Sequence, residues 1–242
     1  MLMERFFNAV SDLNKKIQDE QAENIKKAAE IIVDSIEKGG AVHIFDTGHL
    51  INSELIGRAG GLMLMKALNY SFNVDSKVRI RDNKGKNTSM EGLSKYVLAV
   101  SNVIPGDVLI IGSVSGKTVR PVDMAIAARE LGVTVIALTS VAYSSSLESE
   151  HSCGKRLFEL ADLVLDNCAP VGDAMLEVEG INTKVCPASG LAAAYIMWAL
   201  NAEIIELMLN RGMTPSVYKS INFPDGSEYN DKVAKEYQEK GY

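Results

Sequence analysis

The segment of this chain with the clearest chemical potential is 112–118, Gly-Ser-Val-Ser-Gly-Lys-Thr, which directly follows an apolar run. Three hydroxyl side chains, Ser113, Ser115 and Thr118, stand where a buried strand would end and a helix would begin. In such a loop the backbone N–H groups and the helix N-terminus converge on an anion, and hydroxyls add further donors. The hydroxyls could instead only cap the helix and complete the turn. Three hydroxyls with two glycines favour phosphate binding.

The spacing of this loop argues against the two common nucleotide-binding loops. A nucleotide P-loop would need a glycine five residues before Gly116, and that position holds Ile111. The glycine fingerprint of dinucleotide sites follows none of the predicted strands. A loop of this length suits a single phosphate group better than a triphosphate.

The elements that would position this loop follow from the hydropathy pattern. Short, uninterrupted apolar runs predict buried strands at 41–45, 107–111, 133–138 and 161–166, with a fifth strand near 70–74. Helices are predicted at 51–68, 91–103, 119–131 and 155–160, and a long apolar helix at 189–211. Buried strands that alternate with helices indicate a parallel sheet covered on both faces. The predicted fold is therefore a three-layer α/β/α sandwich with a five-stranded parallel sheet.

Helical segments flank the predicted sheet domain at both ends of the chain. Residues 1–38 form a helical arm, 39–215 the sheet domain, and 216–242 a polar, amphipathic tail of the same single domain. The arm is apolar on more than one face, as is the long helix at 189–211, and a lone helix gains little stability in water. We therefore expect an obligate homo-oligomer built from dimers, with these surfaces buried at a two-fold interface.

Composition narrows the classes of partner. The 242 residues carry 25 Lys and Arg against 31 Asp and Glu, a net charge of −6 without a basic block, which argues against nucleic-acid binding. Apolar stretches are interrupted before the ~20 residues of a membrane span, so no membrane partner is expected. Three cysteines without a C-x-x-C spacing indicate reduced thiols in the cytoplasm. The scattered histidines and cysteines predict no metal site, and no cofactor is expected.

The loop at 113–118, followed by an amphipathic helix and the strand at 133–138, resembles the S-x-S-G-x-T phosphate loop of sugar isomerase (SIS) domains. The resemblance covers about residues 30–212. It implies a flavodoxin-like sheet and the binding of a phosphorylated monosaccharide. It also implies that Ser113, Ser115, Gly116 and Thr118 hold the phosphate and that Thr139 and Ser140 line the end of the next strand. Ser189, which opens the long helix, caps that helix and is a further candidate for binding the sugar.

The loop after the first predicted strand is also similar to the family pattern, with differences. Its sequence is Asp-Thr-Gly-His-Leu at 46–50, where relatives commonly have Gly-Thr-Gly-His-Ser. Gly48 keeps its place as a candidate for substrate binding, and His49 is the histidine best placed to open a sugar ring. Asp46 and Leu50 depart from the pattern. A structural role for His49 is the alternative.

The stretch Ser-Glu-Leu-Ile-Gly-Arg at 53–58 resembles one in phosphoheptose isomerases, whose glutamate transfers protons. The resemblance therefore implies that Glu54 is the catalytic base, and Glu177 and Glu179 are alternative bases. A purely structural pairing of Glu54 with Arg58, one helical turn away, is equally open.

Aldose–ketose isomerisation needs a group that moves a proton between neighbouring carbons, and a partly buried carboxylate can do so. Phosphoheptose isomerases also use a histidine on the late helix, and none is present at 192–209. His43 is expected in the core and His151 in a flexible serine-rich loop. The resemblance thus predicts a sugar-phosphate isomerase that works through an enediol. The alternative is a non-catalytic phosphosugar sensor.

Overall fold

The structure, a computed structural model, describes residues 1–48, 51–75, 77–79, 81–82 and 89–242. Its centre is a five-stranded parallel sheet in the order β2-β1-β3-β4-β5. The strands are β1 (Val42–Asp46), β2 (Met65–Ala67), β3 (Val108–Gly112), β4 (Thr134–Thr139) and β5 (Leu163–Asp166). This arrangement confirms the predicted flavodoxin-like sheet. The strand order reverses between β1 and β3, and ligands of open α/β sheets bind at that point, beyond the carboxyl ends of the strands.

Helices cover both faces of the sheet. They are α1 (Leu2–Glu37), α2 (Asn52–Leu55), α3 (Leu93–Ala99), α4 (Val119–Leu131), α5 (Val141–Ser145), α6 (Ser189–Asn210) and α7 (Gly226–Lys240), with a 3-10 turn at Leu157–Glu159. A short antiparallel hairpin of β6 (Ala174–Leu176) and β7 (Val185–Pro187) precedes α6. The sequence analysis did not predict this hairpin.

Alternate side chains of the central strands supply two separate cores. Ile44 and Ile110 point to the side of α1 and α6, whereas Phe45, Leu109 and Ile111 point to the side of α3 and α4. All five of these side chains are buried. A strand buried on both faces needs an apolar residue at nearly every position, which explains the uninterrupted runs in the sequence.

Helix α1 is covered along only part of its length. From Leu13 onward it packs against α6 and the sheet. Its first two turns leave large apolar side chains exposed, with Phe7 59% and Leu2 45% accessible. Arg5 fastens this end to the β6–β7 hairpin, because its Nη2 donates to the carbonyl oxygen of Glu177 at 2.7 Å.

Helix α6 is an apolar core helix. By length and composition alone it would qualify as a membrane span, which the sequence analysis did not anticipate. In the fold, nine of its residues are buried in the layer it shares with α1. Arg211, just after the helix, pairs with Asp34 and Glu37 of α1, at 2.7 Å each. The apolar composition is thus accounted for by packing between α1 and the sheet.

The predictions for residues 51–74 are wrong in detail. The expected helix at 51–68 ends after one turn, and the edge strand lies at 65–67 instead of near 70–74. Glycines end the helix: Gly57 and Gly60 have φ of +71° and +83°, a conformation that other residues rarely adopt. The chain after them pairs with residues 216–218 of the tail and then adds β2 beside β1, with Met65 opposite Val42.

The three free cysteines differ in their surroundings, which generates a chemical prediction. Burial, reinforced by the neighbouring Asp166 carboxylate, raises the pKa of the Cys168 thiol to about 11, whereas Cys153 is exposed. Because the thiolate is the reactive form, we expect iodoacetamide at pH 8 to alkylate Cys153 well before Cys168 in the native protein. Peptide mass spectrometry would follow the two sites. After denaturation all three cysteines should react, and equal native rates would contradict the described burial of Cys168.

Candidate functional site

The loop after β3 is fixed to the neighbouring strand β4 by backbone hydrogen bonds. The amide of Ser113 donates to the carbonyl oxygen of Leu138 at 3.0 Å, and the amide of Ser140 donates to that of Val114 at 3.1 Å. Gly116 has a φ of +56°. A Cβ there would lie 3.1–3.3 Å from atoms of Leu157, Ser144 and Thr139, so a side chain would distort the loop.

The polar groups on the outer side of this loop are available to a ligand. Within the described residues, the hydroxyls of Ser113, Ser115 and Thr118 bind no protein group, and the backbone amides of 114–118 donate to none. Thr118 precedes α4, but its side chain does not cap the helix. The structural alternative, in which the hydroxyls serve only as caps, is therefore not what this loop adopts. These donors lie beside the helix N-terminus, where an anion is stabilised.

Thr139 and Ser140 were predicted to line the site, and the structure places them beneath it. Both are fully buried. The Thr139 hydroxyl donates to the carbonyl oxygen of Val114 at 3.0 Å, and the Ser140 hydroxyl donates to that of Ala169 at 2.7 Å. Ser140 Oγ also accepts from the amide of Tyr143. Their hydroxyls therefore support the loop from behind.

The loop after β1 is organised by the acidic residue that departs from the family pattern. Asp46 is buried, and its Oδ2 accepts from the amide of Ile51 at 2.9 Å while its Oδ1 accepts from that of Gly48 at 3.2 Å. Thr47 Oγ1 donates to the carbonyl oxygen of Gly112 and so ties this loop to β3. The structure thus brings Gly48 to the same edge as the phosphate loop. His49 and Leu50 lie outside the described residues.

Glu54, the predicted base, lies on the short helix α2. Its Oε1 is 3.5 Å from Nη2 of Arg58, and its side chain is 42% exposed. The predicted alternative, an i,i+4 pair, is therefore formed. In this chain by itself the carboxylate is neither buried nor beside the phosphate loop's hydroxyls in any contact of the described residues.

The other acidic candidates lie in the loop of the β6–β7 hairpin. Glu177 is 80% exposed and 3.4 Å from Lys184, and Glu179 is exposed as well. Both are thus solvated, although they follow the strand β6.

Ser189 is the first residue of α6 instead of its cap. Its hydroxyl donates to Oδ2 of Asp173 at 2.9 Å, and its amide donates to Oδ1 at 2.8 Å. Asp173 therefore caps the helix from 16 residues earlier, and it does so with a φ of +68°. No spacing rule in the sequence pointed to this residue, because the contact depends on the return of the hairpin.

Two histidines within the described chain have acidic partners. His43 Nε2 lies 2.9 Å from Oδ2 of Asp107, as suits a residue of the core strand β1. His151 was expected in a flexible loop, but its side chain is only 8% exposed and lies 3.8 Å from Oδ1 of Asp123. On the late helix, Asn201 is buried and its amide has no partner among the described residues.

A cleft of about 600 Å³ opens beside the start of α4. Arg120 contributes its guanidinium group, which stacks 4.7 Å from the ring centre of Tyr70 and 5.1 Å from that of Phe45. Sequence analysis missed this cleft, because Tyr70 and Arg120 meet only across β1 and β3. Its lining residues include Tyr70, Phe72, Leu93, Ser94, Thr118, Arg120, Asp123 and Glu150. In the part of the chain that is described, no group of three His, Cys, Asp or Glu residues could hold a metal ion.

Comparison with known proteins gives consistent relatives over the whole chain. The sequence profile of the SIS domain matches residues 5–140, more than half of the chain. A UPF0309 protein of Shouchella clausii is 37% identical over 238 residues, 98% of this chain and 96% of the relative. A UPF0309 protein of Listeria monocytogenes is 34% identical over 97% of each chain.

Solved structures agree on the fold. The phosphoheptose isomerase of Neisseria gonorrhoeae superposes with a TM-score of 0.51 at 19% identity, covering 84% of this chain and 97% of the other. The phosphoheptose isomerase of Francisella tularensis gives a TM-score of 0.50 at 16% identity, covering 84% and 96%. The profile match, the full-length relatives and the shared sheet topology together place this chain in the SIS domain family, among the UPF0309 proteins.

Proposed function

We propose that this protein binds a phosphorylated monosaccharide, with the phosphate held by the loop at 112–118. The observation that carries the proposal is the set of three loop hydroxyls and adjacent amides without protein partners in the described chain. They lie at the carboxyl edge of the sheet, next to the point where strand order reverses. Membership of the SIS domain family and the similarity in fold to two phosphoheptose isomerases support the sugar part of the proposal.

A double substitution tests the phosphate loop. Ser113→Ala with Ser115→Ala should weaken binding of a sugar phosphate such as glucose 6-phosphate by roughly 100-fold or more, because each hydrogen bond to a charged group contributes about 1.5–3 kcal/mol. Isothermal titration calorimetry would measure the affinity, and circular dichroism would verify the fold.

The matched control replaces two exposed serines far from the loop, Ser11→Ala with Ser227→Ala. This variant should bind like the parent protein. Equal affinity in the loop variant and in the control would place the phosphate elsewhere.

We further propose that the bound sugar phosphate is isomerised between its aldose and ketose forms. Glu54 would take the hydrogen on C2 as a proton, and the electron pair left behind would form the C1–C2 double bond of an enediol. The same carboxylate would return the proton to C1 while the C2 hydroxyl loses its proton and becomes the carbonyl. His49, in the preceding loop, would open the sugar ring.

This role requires that Glu54 be covered more than it is in one chain. The Arg58 guanidinium 3.5 Å away would then act as the positive group that holds the carboxylate in place. A second subunit placed over α2 would exclude water from the site, as the resemblance to SIS domains implies. The proposal therefore couples catalysis to assembly.

Exchange of the substrate's C2 hydrogen with deuterium tests Glu54. Glu54→Gln should keep sugar-phosphate affinity within about 2-fold but reduce exchange by at least 100-fold, the upper range of a single acid–base group. Nuclear magnetic resonance in deuterium oxide would record the exchange. The control is Glu177→Gln, which should exchange normally. Retained exchange in Glu54→Gln, with loss in Glu177→Gln, would move the role to the hairpin.

A non-catalytic phosphosugar sensor is the second candidate function. The exposed Glu54–Arg58 pair favours it, as does a late helix whose buried polar residue is Asn201 instead of a histidine. A sensor should show tight binding in calorimetry with no C2 exchange by the unmodified protein, whereas an isomerase must show exchange.

We propose that the working form is a homodimer or a larger homo-oligomer in the cytoplasm, without nucleic-acid or membrane partners. The uncovered apolar surface at the start of α1, formed by Met1, Leu2, Met3 and Phe7, supports the oligomer. Burial of one such side chain contributes about 1.5–3 kcal/mol, so a two-fold contact between arms would be stable. A net charge of −6 and three free thiols suit the reducing cytoplasm.

A charge in this surface should reduce the mass of the oligomer. Phe7→Asp leaves the packed part of α1 untouched, so we expect a folded protein of lower mass and weaker ligand binding in light scattering and calorimetry. Val100→Asp on α3 is the control, because Val100 is 88% exposed on another face and should not change the mass. A ligand-binding monomer in the unmodified protein would refute the proposal.

A further inference from the structure

We propose that Arg120 forms a second anion-binding point in the cleft beside the phosphate loop, so that the preferred ligand is a sugar phosphate with a second anionic group. This inference rests on the proposed phosphosugar function and narrows its substrate class. The second group would be a carboxylate or another phosphate, since a guanidinium recognises both through the same paired N–H donors.

The cleft continues from the phosphate loop. Thr118 belongs to both, and Val119 and Arg120 follow it in the first turn of α4. The helices α3 and α4 connect to parallel strands, so both begin at the carboxyl edge, where Tyr70 also follows β2. A ligand whose phosphate lies in the loop can therefore extend into this cleft. A volume of about 600 Å³ lies in the range of small-molecule sites.

The charges in the cleft leave the guanidinium group free for a ligand. Glu150 is paired with Lys117, at 2.6 Å between Oε1 and Nζ. Asp123 is buried and accepts from the amides of Gly92 and Ser94, at 2.6 and 2.8 Å. Arg120 forms no ion pair and no hydrogen bond within the described part of the chain. The two acidic side chains are thus occupied, and the positive one is not.

Two stacked rings hold the guanidinium group in a fixed plane. Phe45 and Tyr70 lie nearly parallel, with 5.8 Å between ring centres, and Arg120 lies over both. Stacking orients the guanidinium through its face and leaves its edge N–H groups for hydrogen bonds. An arginine held in this way loses less conformational freedom when it binds an anion.

A second polar group in the same cleft independently indicates a ligand. Ser94 is fully buried and lines the cleft, and its hydroxyl has no hydrogen-bond partner among the described residues. A buried hydroxyl without a partner reduces stability, so its presence needs a reason. Donation to an anionic group that Arg120 also binds would supply the missing partner.

Matched pairs of probes test the inference on the full-length protein. Glucose 1-phosphate is compared with glucuronic acid 1-phosphate, which adds a carboxylate, and glucose 6-phosphate with glucose 1,6-bisphosphate, which adds a phosphate. At a fixed ionic strength, we expect one of the doubly anionic probes to bind about 10-fold or more tightly than its partner in calorimetry. Which pair shows the preference identifies the second group.

Arg120→Met should remove this preference, because methionine keeps an apolar stem on the rings without the charge. Its affinity for the singly phosphorylated probes should stay within about 3-fold, which is small beside the roughly 10-fold effect expected of a charged hydrogen bond. Arg129→Met is the matched control, since it removes the same charge from the far end of α4, and the preference should persist. Absence of a preference in the unmodified protein, or its survival in Arg120→Met, would overturn the inference.

Ser94→Ala separates a ligand-binding role from a structural one. If the hydroxyl serves the ligand, the variant should unfold at the same temperature or higher and lose at least 3-fold in affinity for the doubly anionic probe. Lower stability with unchanged affinity would contradict the role of Ser94. If glucose 6-phosphate binds but the doubly anionic probes have no advantage, only the second site fails. If no probe binds, the proposed function fails with it.

Discussion

The candidate site depends on one carbonyl oxygen, that of Val114. It accepts two hydrogen bonds from the end of β4, one from the amide of Ser140 and one from the hydroxyl of Thr139. These bonds hold the middle of the phosphate loop against the sheet and require the tight turn at Gly116. Because the inner side of the loop is fixed in this way, its outer hydroxyls and amides remain free. The parallel pairing of β3 with β4 is what brings the donors and the acceptor together.

Buried aspartates give the carboxyl edge of the sheet its rigidity. Asp46 binds the amides that begin α2, Asp123 those that begin α3, and Asp173 those that begin α6. Each carboxylate replaces the cap that a helix N-terminus would otherwise need from its own sequence. The acidic residue at position 46, which departs from the family pattern, is therefore a framework residue. This division of labour leaves Ser113, Ser115 and Arg120 as the polar groups that face outward.

The opposite face of the sheet connects the site to assembly. Helices α1 and α6 cover it, and α1 extends beyond the core so that its first turns are apolar and uncovered. The half-exposed Glu54–Arg58 pair lies on α2, which packs against α6. A second subunit that covers this layer would change the surroundings of Glu54 without any change in the phosphate loop. Binding and catalysis would then depend on different levels of structure.

The sequence by itself determined the sheet, the helix α4 and the phosphate loop, because each depends on residues adjacent in the chain. Apolar runs, a 3.6-residue period and a cluster of small hydroxylated residues can be recognised locally. Tertiary structure decided what Thr139 and Ser140 do, because their hydroxyls are bound by carbonyls 25 and 29 residues away. It also ended the predicted helix at 51–68, since the edge of the sheet needed a strand there. The cleft at Arg120 and the cap by Asp173 arise from contacts between distant segments, which no local pattern contains.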